Sequence, residues 1–220
     1  DPTSARAHLI RSHLLVSDGD IDAALKEAEV AVALDPTYAP AHSALGTIQL
    51  AEGAIKSAEY AFSYALDLDP MLVSAQTGMG LTWAAQGRMV EAMRQHKAAI
   101  SLDADAASAW NNLGATHMAL GQLDRAIEEF ERAGELQPHW AIPQANMAIA
   151  HLEANRFALA LEHAKRARDL GGESARVLTT LGRVFIEQGR MSRAQVALRR
   201  ALELDPDYAL AHLHLAEVYV

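Results

Sequence analysis

Residues 107–140 recur, with substitutions, along the chain at a spacing of 34 residues. At that period the sequence divides without insertion into units at 5–38, 39–72, 73–106, 107–140, 141–174 and 175–208. Residues 1–4 read as the tail of a preceding unit and 209–220 as the first helix of a seventh. A strict period of this length leaves few architectures open. Each unit must be one supersecondary element that buries its apolar face by stacking on its neighbours.

The content of the unit is helical. Two amphipathic stretches, helix A and helix B, are separated by Gly19, Gly53, Gly87, Gly121, Asn155 or Gly189, residues suited to the left-handed conformation that stops a helix. Small residues recur on helix A (Ser12, Gly46, Gly80, Gly114, Ala148, Gly182) and on helix B (Ala24, Ala58, Ala92, Ala126, Ala160, Ala194). Packed small against small, they would let the two axes approach closely. A second alanine set (Ala31 to Ala201 at the same period) does the same between helix B and the next helix A. Leu34, Leu68, Leu102, Leu136, Leu170 and Leu204 are expected to fill the seam at the end of helix B. Phe62, Phe130 and Leu198 share one core position. Asp-Pro at 35–36, 69–70 and 205–206 is expected to end helix B, because proline disfavours α conformation in the residue before it. The third unit has Ala104 instead of Pro. The fifth, with Gly171-Gly172, Asn155, Ala148 and Pro143, is the degenerate one, where the array is expected to bend or slip.

Trp110, Leu113, Gly114, Gly121, Ala126, Phe130, Ala133 and Pro138, in that order and spacing, resemble the tetratricopeptide repeat, with His117 where the family usually has Tyr. The resemblance implies an all-α fold: a right-handed superhelical solenoid of antiparallel helix-turn-helix units whose concave face is lined mainly by helix A. It also implies a non-catalytic scaffold that binds a peptide or a partner helix in the concave groove. Asp1-Pro2 repeats the junction motif and Val220 falls in mid-unit, so a fragment of a longer protein is expected. One alternative is the targeting or substrate-recruiting domain of a larger enzyme, since arrays resembling this one precede glycosyltransferase domains. Another is self-assembly, a homo-oligomer formed through exposed terminal helices, the apolar 209–220 segment being one.

Composition narrows the partner. The net charge of -9 argues against nucleic acid, whose phosphates call for clustered Lys and Arg. The absence of Cys excludes disulfides, thiolate metal sites and a Cys nucleophile. No apolar run approaches the ~18 residues that span a bilayer. The Ala- and Arg-rich usage points to a bacterial source. Of the ten His, most fall in packing positions: His8, His42 and His212 take the family's Trp position, and His117 and His151 its Tyr position. No cofactor or metal is expected, and no nucleophile, base and orienting acid gather on one helical face.

By position within the resembling family, the groove-facing candidates are Asn111, Asn112 and Met118 in the fourth unit. Asn146, Ile149 and Leu152 follow in the fifth, and Arg176, Thr180 and Arg183 in the sixth. Asn112 and Asn146 match the asparagine-ladder position of repeats of the O-GlcNAc transferase type, where an amide both donates to and accepts from a peptide backbone. The ladder is short, because Ile10, Ala44, Gly78, Thr180 and His214 occupy the other equivalent places. Arg176 and Arg183 stand two turns apart on one face and, with Asn146, would form a cationic pocket for a carboxylate, with Glu187 close enough to neutralise one of them.

Overall fold

The computed structural model describes residues 4–219; Asp1–Thr3 and Val220 lie outside them, and with them the Asp1-Pro2 junction. Among the described residues there are thirteen α-helices and no strand. The chain separates into two compact units, Asp1–Thr116 and His117–Val220. The first holds α1 (Ala5–Asp18), α2 (Ile21–Leu34), α3 (Ala39–Ala51), α4 (Ile55–Leu68), α5 (Val73–Ala85) and α6 (Met89–Leu102). Helix α7 (Ala107–Ala119) begins in the first unit and ends in the second. The second continues with α8 (Leu123–Leu136), α9 (Ala141–Glu153), α10 (Phe157–Gly171), α11 (Ala175–Glu187), α12 (Met191–Leu204) and α13 (Ala209–Val218).

The turns between paired helices are built alike. Gly19, Gly53, Gly87, Gly121 and Gly189 have φ between 68° and 81°, and Asn155 takes the same left-handed region at φ 57°. Asn is the substitute that tolerates this conformation, since its short amide bonds locally. The junctions from one pair to the next have a cause besides the proline that the sequence suggests. Asp35, Asp69 and Asp205, each before a Pro, are extended (φ near -141°), but Asp103, before Ala104, has the same backbone at φ -142° and ψ 101°. What the four share is an aspartate Oδ1 that accepts from the N–H two residues on: Thr37 at 3.0 Å, Met71 at 3.0 Å, Asp105 at 2.9 Å and Asp207 at 3.2 Å. At these four the Asx turn recurs with or without a proline, whereas the fourth repeat ends at Gln137-Pro138 with no aspartate, Gln137 lying at φ -131° and ψ 81°. The fifth repeat departs from this. There α10 runs on to Gly171, and Gly172 takes φ 75° and ψ -169°, a region open essentially to glycine alone.

A second recurring bond latches the same four junctions. The fourth residue of the repeat donates a side-chain N–H to the carbonyl six residues earlier: His42 Nε2 to Pro36 O (2.9 Å), Gln76 Nε2 to Pro70 O (3.1 Å), Trp110 Nε1 to Ala104 O (2.9 Å) and His212 Nε2 to Pro206 O (2.8 Å). These side chains therefore cap exposed backbone as well as packing between helices.

The packing of A on B is set by one size relation. A Cβ added to Gly46 would meet the Phe62 ring at 3.0 Å, one on Gly80 would meet His96 at 2.4 Å, and one on Gly182 would meet Leu198 at 2.6 Å. The helix A glycine thus makes room for the large side chain at the eighth residue of helix B in its own unit. Where helix A carries Ser12 or Ala148 instead, the facing helix B position is Ala28 or Ala164, both essentially unexposed. This corrects the expected small-against-small pairing in its detail: the alanines at 24, 58, 92, 160 and 194 are fully buried, but the glycines answer to the ring position. Ser12 alone reaches the alanine row, donating to Ala24 O at 2.9 Å.

The leucines at the ends of helix B do not fill the seam. Leu34, Leu102, Leu170 and Leu204 are exposed, and Leu68 and Leu136 are half-buried. The seam is already closed by the fully buried alanines one turn earlier, such as Ala31, Ala99 and Ala201. The final turn overhangs the surface, as where Leu34 lines a shallow depression with Ser4, Arg6 and Tyr38.

Candidate functional site

Within each compact unit the odd-numbered helices pack on one another, α1 on α3 and α3 on α5, then α9 on α11 and α11 on α13. Among the described residues of either unit no even-numbered helix packs on another even-numbered one. Helices that touch on one side and splay on the other curve the stack, so the face of the odd-numbered helices is concave in each unit.

In the second unit this face holds a groove of about 440 Å³ between α9, α11 and α13. Its walls include Ile149, Leu152, Arg176, Thr180 and Arg183, five of the sequence-derived candidates, together with Glu153, Thr179, Tyr208, Leu210 and His214. Asn146 stands behind them. It is buried, and its Oδ1 accepts from Arg176 Nη2 at 2.7 Å, so this amide orients the arginine. Thr180 is also buried, and its hydroxyl donates to Arg176 O at 3.0 Å within the helix. Leu152 is 3% exposed and supports the floor, whereas Ile149 is half-buried. Arg183 is half-buried, and among the described residues it has no hydrogen-bond or ion-pair partner. The expected neutralisation by Glu187 does not occur, because no pair forms within salt-bridge distance. The groove thus offers one arginine held by an amide, one uncommitted arginine and an apolar wall.

The other candidates do not line this groove. In the first unit Asn111 is buried and its Nδ2 donates to Asn112 Oδ1 at 3.4 Å, with Asn112 half-buried beside it. Met118 is half-buried near the end of α7. The groove residues missed from the sequence are Tyr208, Leu210 and His214. Leu210 and His214 occupy the second and sixth places of the last unit, the same places as Arg176 and Thr180 in the sixth, so the positional rule carried one unit further reaches both. Tyr208 belongs to the preceding junction and follows no such rule.

The histidines take packing and bonding roles. His117 is buried, with Nδ1 2.6 Å from Glu129 Oε2, and His151 stacks on His163 with ring centroids 5.1 Å apart. Burial pushes the pKa of both His151 and His163 down. Among the described residues no three His, Asp or Glu side chains are placed to hold a metal ion. None of the described helices is long and apolar enough to cross a membrane.

Paired helices stacked with an open concave face define a helical-repeat protein of the interaction class. Family models agree: one described as a TPR repeat matches residues 182–220, and two described as tetratricopeptide repeats match residues 105–173 and 9–71. The chain belongs to the tetratricopeptide repeat family, a family of protein-interaction scaffolds. No curated protein matches it significantly. Among solved structures it is similar to the Cut9-Hcn1 hetero-tetramer of the APC/C (20% identity, TM-score 0.89), covering all of this chain and 44% of that one. It also resembles pilF of Pseudomonas aeruginosa (21%, TM-score 0.74, 97% of each chain). A third similar structure is PilW, a type IV pilus biogenesis factor (18%, TM-score 0.80, 98% of each chain). The chain spans less than half the length of the first of these, and at such identities the likeness concerns the fold.

Proposed function

We propose that this chain acts without catalysis, binding an extended peptide or a partner helix along its concave face. Asn111, Asn112 and Met118 would contact the ligand in the fourth repeat. Asn146, Ile149, Leu152, Arg176, Thr180 and Arg183 would form the binding surface of the fifth and sixth. The observation that carries the reading is the uncommitted Arg183 beside Ile149 and Leu152 in a groove of about 440 Å³. A cation without an internal partner next to an apolar wall suits a peptide carboxylate adjacent to an apolar side chain. Arg176 would add a second donor fork, pre-oriented by Asn146.

The test is affinity capture with the wild-type chain and with Arg183→Glu and Ile149→Glu, read by quantitative mass spectrometry. Loss of a charge-assisted hydrogen bond of about 1.5–3 kcal/mol corresponds to roughly 10- to 100-fold in affinity. Proteins bound through the groove should therefore drop out of both variant captures. Both side chains are only half-buried, so the thermal transition should stay near that of the wild type. An unchanged set of captured proteins would remove the concave face as the binding surface. Asn146→Ala is a poor probe, because Asn146 is buried and bonded and its loss would also disturb Arg176.

A further inference from the structure

The opposite side of α11 carries a second groove, of about 490 Å³, between α10 and α12. Its floor is apolar, made by Leu178, Leu181, Phe185 and Val196, the last 70% exposed. Its rim is cationic, with Lys165, Arg168, Arg193 and Arg200 against a single acid, Glu173. Two of the four cations are already answered. Arg200 binds Glu173 at 2.7 Å and Glu203 at 2.8 Å, and Arg168 binds Asp169 at 2.9 Å. The side chains of Lys165 and Arg193 have no hydrogen-bond or ion-pair partner among the described residues. Leu178 and Leu181 are buried, so the apolar surface open to a partner is Phe185, half-buried, and Val196; in a chain of net charge -9, two uncommitted cations beside it are a local reversal of the prevailing charge.

The same place in the repeat can be compared in the first unit, where a groove is lined by Val32, His42, Leu45, Gln49, Lys56 and Tyr60. There the fourth residue of the repeat, His42, is latched to Pro36 O and packs on Tyr64 at 4.6 Å, so a fixed ring occupies the floor. Leu178 stands at that place in the sixth repeat and has no donor to latch with. Its aliphatic side chain is packed down into the core, and Arg168 and Arg193 stand where the other groove has Val32 and Ser57, while Ser192 stands where it has Lys56.

We propose that the groove between α10 and α12 docks an acidic segment of a partner protein that presents an apolar side chain flanked by carboxylates. The apolar side chain would cover Phe185 and Val196, while the carboxylates pair with Lys165 and Arg193. Buried apolar contact supplies the anchor, and the rim charges set the polarity of what can enter. This surface is separate from the concave one, so a single chain holds two partner segments at once.

The test uses the whole chain and fluorescence anisotropy with a labelled twelve-residue peptide in which a Leu-Phe pair is flanked by Glu and Asp. Companion probes replace Leu-Phe by Ser-Ser, replace the acids by Lys, or present phosphatidylserine vesicles instead of peptide. The acidic Leu-Phe peptide should bind and the companions should not. Lys165→Glu with Arg193→Glu should weaken it at least about 10-fold, and about 0.5 M salt should weaken it as well. Val196→Asp, at a site too exposed to affect folding, should do the same, and all of these losses should persist in the Arg183→Glu background, which removes binding through the concave face. The proposal is overturned by no binding at millimolar peptide, by insensitivity to charge reversal, or by equal binding of the Ser-Ser peptide. Binding to vesicles in place of the peptide would overturn it too. Arg183→Glu keeps this outcome distinct from failure of the concave-face reading.

Discussion

His96 should make the chain acid-sensitive by an amount that one substitution removes. Its side chain is fully buried against Gly80, neither ring nitrogen has a hydrogen-bond partner, and burial pushes its pKa down to about 4. In the unfolded chain the imidazole titrates near its ordinary 6.5. Between those values the unfolded state binds the extra proton, so stability falls as the pH drops from 6.5 towards 4. At about 1.4 kcal/mol per pH unit, the full loss is roughly 3 kcal/mol. Phe62 occupies the same repeat position, fully buried, so His96→Phe keeps the shape and removes the titration. Urea unfolding of both proteins from pH 7.5 to 4.5 measures the difference. His151 and His163, also pushed down by burial, contribute equally to both and cancel. The wild type should lose roughly 3 kcal/mol more than the variant over this range, and the imidazole proton resonance of His96 should not titrate near pH 6.5. Parallel stability profiles for the two proteins would refute the reasoning.

Two other substitutions test the packing and the turns. Gly182→Ala drives a methyl to within 2.6 Å of Leu198 and should cost about 1–3 kcal/mol, less up to ~1 kcal/mol of helix propensity. With Leu198→Ala in the same chain, the combined loss by chemical denaturation should be smaller than the sum of the two single losses; strict additivity would show that the pair is not coupled. Asn155→Ala, at φ 57°, should lower stability by about 1–2 kcal/mol while Asn155→Gly does not, a contrast readable in thermal melts and absent if the turn relaxes.

The helical pairing and the left-handed turns were legible in the sequence because each rests on one residue type repeated at a fixed interval. The junctions were read in part, because Pro36, Pro70 and Pro206 are conspicuous, whereas the acceptor atoms of Asp35, Asp69, Asp103 and Asp205 are not. The third repeat, with Asp103 before Ala104, has the aspartate without a proline, and the fourth, with Gln137 before Pro138, has the proline without an aspartate. The exposed Leu34, Leu102, Leu170 and Leu204 show a limit of periodicity: recurrence marks a shared environment without saying whether that environment is the core. In the groove, position along helix A located five of the wall residues, but side-chain commitment could not be read from spacing. Arg176 and Arg183 look equivalent in the sequence, yet one is held by Asn146 and the other is uncommitted.

The latch from the fourth residue of four of the repeats to the carbonyl six places earlier bears on how such chains vary. His, Gln and Trp serve interchangeably there, because the carbonyl requires only an N–H delivered at the right height. A matrix that scores residues sees unrelated letters at this place, whereas the backbone sees the same donor each time. One residue type thus fills opposite offices within a single chain: His42 and His212 each spend a ring N–H on a junction carbonyl, whereas His96 lies in the core with neither nitrogen bonded.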